Sequence, residues 1–342
     1  MPRLLISAAE ASGDLLGAEL VRALPDRDSW EIRGVAGPAM RAAGVTALAR
    51  TEDLSVMGVV EVLGHLGTIR RIQATMINAM DEGADAIVLI DAPDLHLPLG
   101  RAAQARDLVA IGYVSPQIWA WRPGRSRDIS KVLDQLLCLF DFEPELYPDL
   151  NTTWVGHPVL DRLPARQPVD ANLFALLPGS RQQEIDRLRP IFLETAARIR
   201  EHRPSAHFLL IGPPPPEPLP PWIQATPSIA EAAHARAALT KAGTVTLELA
   251  VMGVPQVVAH QVHPVTYGLG RLLVRGIHHI AMPNILAKRP CIPEFLQQLS
   301  PDELAVAVLE LPEVQPVELG ALGAPGASVR AAAAIARAVG AP

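Results

Sequence analysis

The chain has 342 residues, of which 49% are hydrophobic and 19% are charged, so it is long enough for two folded domains and is not a disordered protein. Its formal net charge of −6 argues against nucleic acid as a partner, because nucleic-acid surfaces depend on clustered Lys and Arg. The two cysteines, Cys138 and Cys291, lie far apart in apolar segments, which predicts free thiols in a reducing compartment and excludes a cysteine metal site. Neither a secretion signal nor a membrane-spanning run is visible, so we expect a cytoplasmic protein.

Short apolar runs alternate with helical segments in the first half of the chain, which is typical of βα units and a mostly parallel sheet. The predicted strands are Leu4–Ser7, Ile32–Ala36, Ala86–Ile90, Val109–Val114 and Gln135–Leu139. The predicted helices are Asp14–Ala23, Val60–Met80, Leu97–Arg106 and Arg122–Val132. A Pro-interrupted linker at Leu163–Asp170 ends the first domain, which we expect to span residues 1–163.

The second half repeats this alternation and predicts a second α/β domain over residues 171–311. Its predicted strands are Leu173–Leu177, Ala206–Ile211, Ala235–Leu239 and Gln256–Ala259, and its helices are Gln183–Glu201 and Val245–Met252. The Pro-rich segment Pro213–Pro221 predicts an exposed loop. A terminal helix over residues 328–340 is expected, with packing back onto the first domain as one arrangement. Two such domains facing each other would create a cleft.

A loop rich in tryptophan follows one predicted strand of the first domain. Pro116 ends the strand because proline has no N–H to donate, so Trp119, Trp121 and Arg122 are expected at the carboxyl edge of the sheet. Ligands bind at that edge in open parallel sheets. The alternative is that both indoles only pack the loop onto its neighbours.

Three glycine-containing turns follow predicted strands, at Ala9–Asp14, Leu177–Arg181 and Lys241–Thr244. Each turn could present backbone N–H groups to an anion, and Arg181 could hold two phosphate oxygens at once. Glu248 lies about one helical turn after Thr244, where a carboxylate could bind a ribose hydroxyl; a solvated helix carboxylate is the alternative. None of these turns has the sequence of a Walker loop or a dinucleotide fingerprint, so ATP hydrolysis and NAD chemistry are not indicated.

The segment Asp91–His96 places two carboxylates and an imidazole at the end of a predicted strand. This segment is the best place in the chain for a general base, because a base needs a titratable group at the edge where the substrate binds. Asp94 is expected to cap the helix predicted from Leu97.

Nine motifs occur together and in one order. They are Glu10-Ala11-Ser12-Gly13-Asp14, Val35-Ala36-Gly37-Pro38, Val56–Leu63, Asp91-Ala92-Pro93-Asp94, Tyr113–Pro116 with Trp119–Arg122, Gly156-His157-Pro158, Leu177–Arg181, Thr246-Leu247-Glu248 and Met282–Ala287. From about residue 3 to residue 300, the chain resembles the lipid-A-disaccharide synthase family.

This resemblance implies a GT-B glycosyltransferase with two Rossmann-like domains. The donor would be UDP-2,3-diacylglucosamine, the acceptor 2,3-diacylglucosamine 1-phosphate, and the products a β-1,6-linked disaccharide 1-phosphate and UDP. It implies no cofactor or metal, a peripheral position on the cytoplasmic face of the inner membrane, and leaves a homodimer open. The implied residues are Asp91, Glu10 and Ser12 for catalysis; Ser180, Arg181, Gly243, Thr244, Glu248 and Asn284 for the donor; and Met57, His96, Trp119, Trp121 and Arg122 for the acceptor and lipid.

The chain also departs from the family's usual pattern. His96 stands where the family usually has Asn, and Ala242 stands where the diphosphate loop usually has Ser. A GT-B enzyme with a different lipid acceptor and a non-catalytic homologue are therefore the alternatives, and the Trp119/Trp121 loop argues against an epimerase. The apolar segment Val56–Leu66 is expected either to contact lipid or to form an ordinary core helix.

Overall fold

A computed structural model describes residues 1–54, 62–116, 126–261 and 279–341, with only the helical backbone described for residues 62–66. It divides into a first unit, Met1–Asp161 with Ala321–Pro342, and a second unit, Arg162–Gly320. No helix among these described residues is long and apolar enough to cross a membrane.

The first unit contains a parallel sheet of seven strands in the order β3-β2-β1-β4-β5-β6-β7. The strands are β1 (Arg3–Ala8), β2 (Glu31–Ala36), β3 (Thr46–Arg50), β4 (Ala86–Ile90), β5 (Val109–Tyr113), β6 (Gln135–Cys138) and β7 (Asn151–Trp154). The described helices are α1 (Ala11–Arg22), α2 (Pro38–Ala42), α3 (Val62–Asp81), α4 (Pro93–Gln104), α5 (Ser126–Ser130), α6 (Val159–Arg162) and the terminal helix described below.

The central strand β4 of this sheet is buried on both faces. All five residues of β4 are buried, because helices cover both sides of a parallel sheet and select continuous apolar runs. The strand order changes direction between β1 and β4, and that switch point is where open α/β sheets bind ligands. The register pairs Ala8 with Ile90, so the residues that follow both strands lie at the same edge.

The second unit contains a parallel sheet of six strands in the order β10-β9-β8-β11-β12-β13. The strands are β8 (Asp170–Leu177), β9 (His207–Ile211), β10 (Ile223–Thr226), β11 (Ala235–Thr240), β12 (Gln256–His260) and β13 (Glu294–Leu296). The helices are α7 (Gln182–His202), α8 (Val245–Val251), α9 (Met282–Ala287) and α10 (Pro301–Leu309). Its switch point lies between β8 and β11.

The C-terminal helix α11 (Ala327–Ala338) returns to the first unit. Asp161 accepts hydrogen bonds from the N–H groups of Gly326 and Ala327, and so supplies a cap that the helix's own residues do not provide. Arg330 donates to the Val155 carbonyl at 2.7 Å. Five alanines, with Ser328 and Ile335, form the buried face of this helix, and the small alanine side chains permit close packing against the unit.

Two predicted helices show the largest differences from the observed ones, in each case at the N-terminal end. The helix expected from Leu97 begins earlier, at Pro93, because proline with its fixed φ is well suited to the first helical turn. Asp94 therefore lies inside the first turn of α4 and does not cap it. The helix expected over Arg122–Val132 is described only as α5, and its first residues lie outside the described part of the chain.

Candidate active site

The carboxyl edge of the first sheet brings together two of the predicted catalytic residues. Glu10 follows β1 and Asp91 follows β4, so they flank the switch point of the sheet. Ser12 is exposed in the first turn of α1. Glu10 precedes that helix in an extended conformation.

Gly13 and Asp14, which end the motif that begins at Glu10, have structural roles. A Cβ on Gly13 would lie 3.3 Å from the Ala8 Cβ, so glycine allows α1 to pack closely on β1. Asp14 is buried, and its carboxylate accepts the N–H groups of Gly37, Ala39 and Met40 at 2.8 to 3.1 Å. These contacts cap α2 from another helix. They leave no room for a Cβ at Gly37, which explains the glycine of the second motif.

The backbone at Asp91 adopts a conformation that L-residues rarely use. Asp91 has a φ of 51° and Ala92 a φ of 45°, both in the left-handed region. The Asp91 N–H donates to the Tyr113 carbonyl of the neighbouring strand at 3.0 Å, which holds the turn in place. Strain of this kind persists only where surrounding contacts enforce it, and it clusters at functional sites.

Asp91 is exposed to solvent, but many protein atoms surround its carboxyl group. Desolvation raises the pKa of Asp91 above its usual range, the Ala92 N–H lowers it in part, and the negative charge of Glu10 raises it further. A raised pKa brings a carboxylate closer to the pH at which a general base works best.

His96 is buried in α4, and both of its ring nitrogens have partners. Nδ1 lies 2.6 Å from the Asp91 carbonyl oxygen, so it must donate, and Nε2 lies 2.9 Å from Ser7 Oγ and accepts. Burial lowers the pKa of His96 to about 4, which keeps the ring neutral. The ring therefore holds the Asp91 backbone, and its place on the acceptor side stays a prediction.

We expect His96→Asn to keep nearly full turnover and His96→Leu to lower kcat by about tenfold. An Asn amide can donate to one carbonyl and accept from one hydroxyl, as the imidazole does, whereas Leu leaves both partners buried and unpaired. Steady-state kinetics of the two variants, with thermal unfolding as a check on folding, measure this difference. Equal activity of the two variants would show that the ring does not support Asp91.

Sequence reasoning missed a buried polar cluster beside this edge. Glu143, Ser115 and Tyr147 are each at most 2% exposed, and Ser115 Oγ lies 3.0 Å from Tyr147 Oη. The Glu143 carboxylate accepts the N–H groups of Leu139 and Phe140 at 2.8 and 3.0 Å. An acidic residue five positions after a strand gave no local signal that it would be buried.

The carboxyl edge of the second sheet carries cations beside two glycines. Gly179, with a φ of 130°, follows β8, and Gly243, with a φ of 140°, follows β11, so they flank the second switch point. The Lys241 ammonium lies 3.3 Å from the position that a Cβ on Gly243 would take. Arg181 is exposed at the start of α7, and Ser180 is exposed beside it. Lys241 was not among the predicted residues, although its place directly after a strand marks it.

Glu184 connects these two cations. Its Oε1 lies 3.0 Å from Lys241 Nζ and 4.0 Å from an Arg181 guanidinium nitrogen. Within the described ranges, Glu184 Oε2 and His260 Nδ1 are buried without a hydrogen-bond partner. Burial first, and then the charge of Lys241, lower the pKa of His260. The negative charge of Glu184 therefore offsets part of the positive charge of Lys241 and Arg181, at a sheet edge where an anion could bind.

Glu248 and Thr244 lie on the same edge. Thr244 is exposed before α8, and Glu248 lies in the first turn of that helix. Arg162 holds the Glu248 carboxylate through Oε1 at 2.7 Å. This contact orients the carboxylate that the sequence assigned to a ribose hydroxyl.

Asn284 is fully buried, which the sequence pattern did not indicate. Its Nδ2 donates to the Ile292 carbonyl and to Glu294 Oε1, both at 2.8 Å, and its Oδ1 accepts the N–H groups of Cys291 and Ile292. An amide has two donors and two acceptor sites, so its capacity is filled inside the protein. Asn284 therefore shapes the loop before β13, and its contact with the donor stays a prediction.

Four residues predicted for the acceptor and lipid side lie outside the described residues: Met57, Trp119, Trp121 and Arg122. Their roles stay predictions. The same holds for most of the apolar segment Val56–Leu66.

Comparisons with known proteins now decide the family. The family model described as lipid-A-disaccharide synthetase matches residues 4–215 and 224–313. The chain belongs to the lipid-A-disaccharide synthase family. The family's synthase from Geobacter sulfurreducens is 36% identical over 340 residues, covering 90% of this chain and 86% of the relative. The synthase from Alkalilimnicola ehrlichii is 36% identical over 385 residues, covering 99% of each chain.

Solved structures show the fold that the family shares with other glycosyltransferases. The calicheamicin glycosyltransferase CalG4 matches with a TM-score of 0.58 and 17% identity, covering 99% of this chain and 94% of that one. Acinetobacter baumannii MurG matches with a TM-score of 0.56 and 14% identity, covering 97% and 95%. The predicted family, the GT-B type of α/β fold and the glycosyltransferase class are therefore confirmed.

Proposed function

We propose that the chain transfers a diacylglucosamine unit from UDP-2,3-diacylglucosamine to the 6-hydroxyl of 2,3-diacylglucosamine 1-phosphate, with inversion at the anomeric carbon. The observation that carries this proposal is the family match along nearly the whole chain, together with a carboxylate of raised pKa at the first switch point. The products are the β-1,6-linked disaccharide 1-phosphate and UDP.

Asp91 acts as the general base in this proposal. Its carboxylate takes the proton of the acceptor hydroxyl while the hydroxyl oxygen bonds to the anomeric carbon and the bond from that carbon to the UDP oxygen breaks. Glu10 keeps Asp91 basic through its negative charge. The neutral His96 ring holds the Asp91 carbonyl and so fixes the turn that carries the base.

The second unit is assigned to the donor. Lys241 and Arg181, with the backbone around Gly243, supply positive charge for the diphosphate, which bears increasing negative charge as UDP departs. Glu248, oriented by Arg162, is assigned to the ribose. Ser180 and Thr244 are exposed beside these cations and complete the assignment.

The test is mass spectrometry of the products formed by the purified protein from the two acylated substrates. A disaccharide 1-phosphate and an equimolar amount of UDP are expected. UDP binding without any disaccharide would refute the proposed acceptor and favour the alternative of a GT-B enzyme with another lipid acceptor.

We also propose that the protein works on the cytoplasmic face of the inner membrane as a peripheral protein. Acyl chains on both substrates need an apolar surface, and the segment Val56–Leu66 supplies one by its composition. Flotation with vesicles of anionic phospholipid measures this association. Recovery of all the protein in the unbound fraction would contradict it.

A further inference from the structure

Glu143 is a buried carboxyl group that the proposed mechanism does not use. Only 1% of its surface is exposed, and two backbone N–H groups, from Leu139 and Phe140, point at its Oε2. Burying a carboxyl group is costly unless hydrogen bonds compensate for the lost water. The turn after β6 is built to hold this group in one place.

The Glu143 carboxyl group is connected to the end of β5. The Ser115 hydroxyl hydrogen-bonds to it, and Tyr147 hydrogen-bonds to Ser115 in turn. Ser115 follows Val114, which has a φ of 75°, and a β-branched residue in the left-handed region is a genuine outlier. The Val114 N–H donates to the Leu137 carbonyl at 3.1 Å. Glu143 thus helps to hold a strained backbone turn.

A backbone hydrogen bond joins the strained turn at Val114 to the turn that carries Asp91. The Tyr113 carbonyl, one residue before Val114, accepts the N–H of Asp91. Asp91 and Ala92 are themselves in the left-handed region. Two strained turns at neighbouring strand ends therefore support each other, and a change at Ser115 reaches Asp91 through one backbone hydrogen bond.

The two carboxyl groups also interact through their charges. Burial raises the pKa of Glu143 to about 7, its hydrogen-bond donors lower it in part, and the negative charge of Asp91 raises it. Among the residues that the structure describes, Cys138 and Tyr147 also face Glu143, and burial raises the pKa of both, so they stay neutral. Near neutral pH, Glu143 is therefore the described group of this cluster that changes charge.

We propose that Glu143 is a positioning residue of the transfer site, whose buried carboxyl group fixes the Asp91 turn through Ser115 and whose charge acts on Asp91. This inference rests on the proposed function for its kinetic consequences. Ionisation of Glu143 places a second negative charge near Asp91 and makes the Asp91 carboxylate a stronger base. The rate therefore gains an inflection near neutral pH that depends on Glu143.

The first experiment compares the pH profiles of kcat for the wild type, Glu143→Gln and Glu145→Gln. Gln keeps an acceptor for the two N–H groups but cannot ionise, so the inflection near neutral pH should disappear. Glu145 is exposed two residues away, so its variant should keep the wild-type profile. A Glu143→Gln profile that retains the inflection would overturn the proposal. Absence of disaccharide from the wild type would instead refute the proposed function.

Two further measurements test the inference even if turnover cannot be measured or if Glu143→Gln folds poorly. Infrared titration of the free wild-type protein should show a buried carboxyl group losing its proton near neutral pH, and this signal should be missing in Glu143→Gln. Ser115→Ala removes a donor to the carboxylate, so the same transition should move to higher pH and kcat should fall by about tenfold. An unmoved transition in Ser115→Ala would overturn the link through Ser115.

Discussion

Replacing Asp91 by Asn is expected to lower kcat by about 10²- to 10⁴-fold, the usual contribution of a general base, with UDP affinity unchanged. The amide keeps the size of the side chain but cannot take a proton. UDP affinity should persist because the residues assigned to the diphosphate, Arg181 and Lys241, belong to the second unit. Product formation and UDP titration calorimetry, carried out on the same preparations, measure the two quantities.

Asp94→Asn is the matched control, because Asp94 is exposed in the first turn of α4, three residues after Asp91, and receives the same chemical change. Its turnover should stay near that of the wild type. The wild-type rate should also fall as the pH drops through the pKa of Asp91, which lies above the usual carboxyl range, because the protonated form cannot accept a proton. A large loss in Asp94→Asn with normal turnover in Asp91→Asn would reverse the assignment.

The central strands could be predicted from sequence because burial on both faces imposes an unbroken apolar run, as in Ala86–Ile90. The strands at the sheet edges could not be predicted in this way. Thr46–Arg50 and Asn151–Trp154 are partly exposed, so their residues carry no such run, and Ile223–Thr226 buries only its first and last residues. Tertiary pairing, which no local pattern reports, makes them strands.

Some residues of the candidate site could be predicted from the sequence, and others could not. Asp91 and Arg181 follow strands directly, so the α/β pattern places them at ligand-binding edges. His96 could not be placed, because its partner Ser7 lies 89 residues away in sequence, and only the folded chain shows that the ring is enclosed. Asn284 and Glu143 could not be placed either, because a polar residue has the same local sequence pattern whether its side chain faces solvent or a buried backbone group.

The assignment of Lys241 and Arg181 to the diphosphate can be tested by removing each cation in turn. Lys241→Ala and Arg181→Ala should each weaken UDP binding by about tenfold to 100-fold, since a hydrogen bond to a charged group contributes roughly 1.5–3 kcal/mol. The rate should fall as well, because the same cations stabilise the departing UDP. Arg198→Ala is the control: Arg198 lies on the same helix as the residues after Arg181, but it pairs with Glu194, Glu201 and Asp302.

Glu184→Gln should have the opposite effect on UDP affinity. In the free protein the Glu184 carboxylate occupies the Lys241 ammonium at 3.0 Å, and an incoming diphosphate must compete with it. Gln removes that negative charge but retains the shape of the side chain, so UDP should bind more tightly and with a stronger dependence on salt. Calorimetric titration at two ionic strengths measures both effects. Weaker UDP binding in Glu184→Gln would mean that the ion pair presents Lys241 to the diphosphate, and the carboxylate would then belong to the binding site as its support.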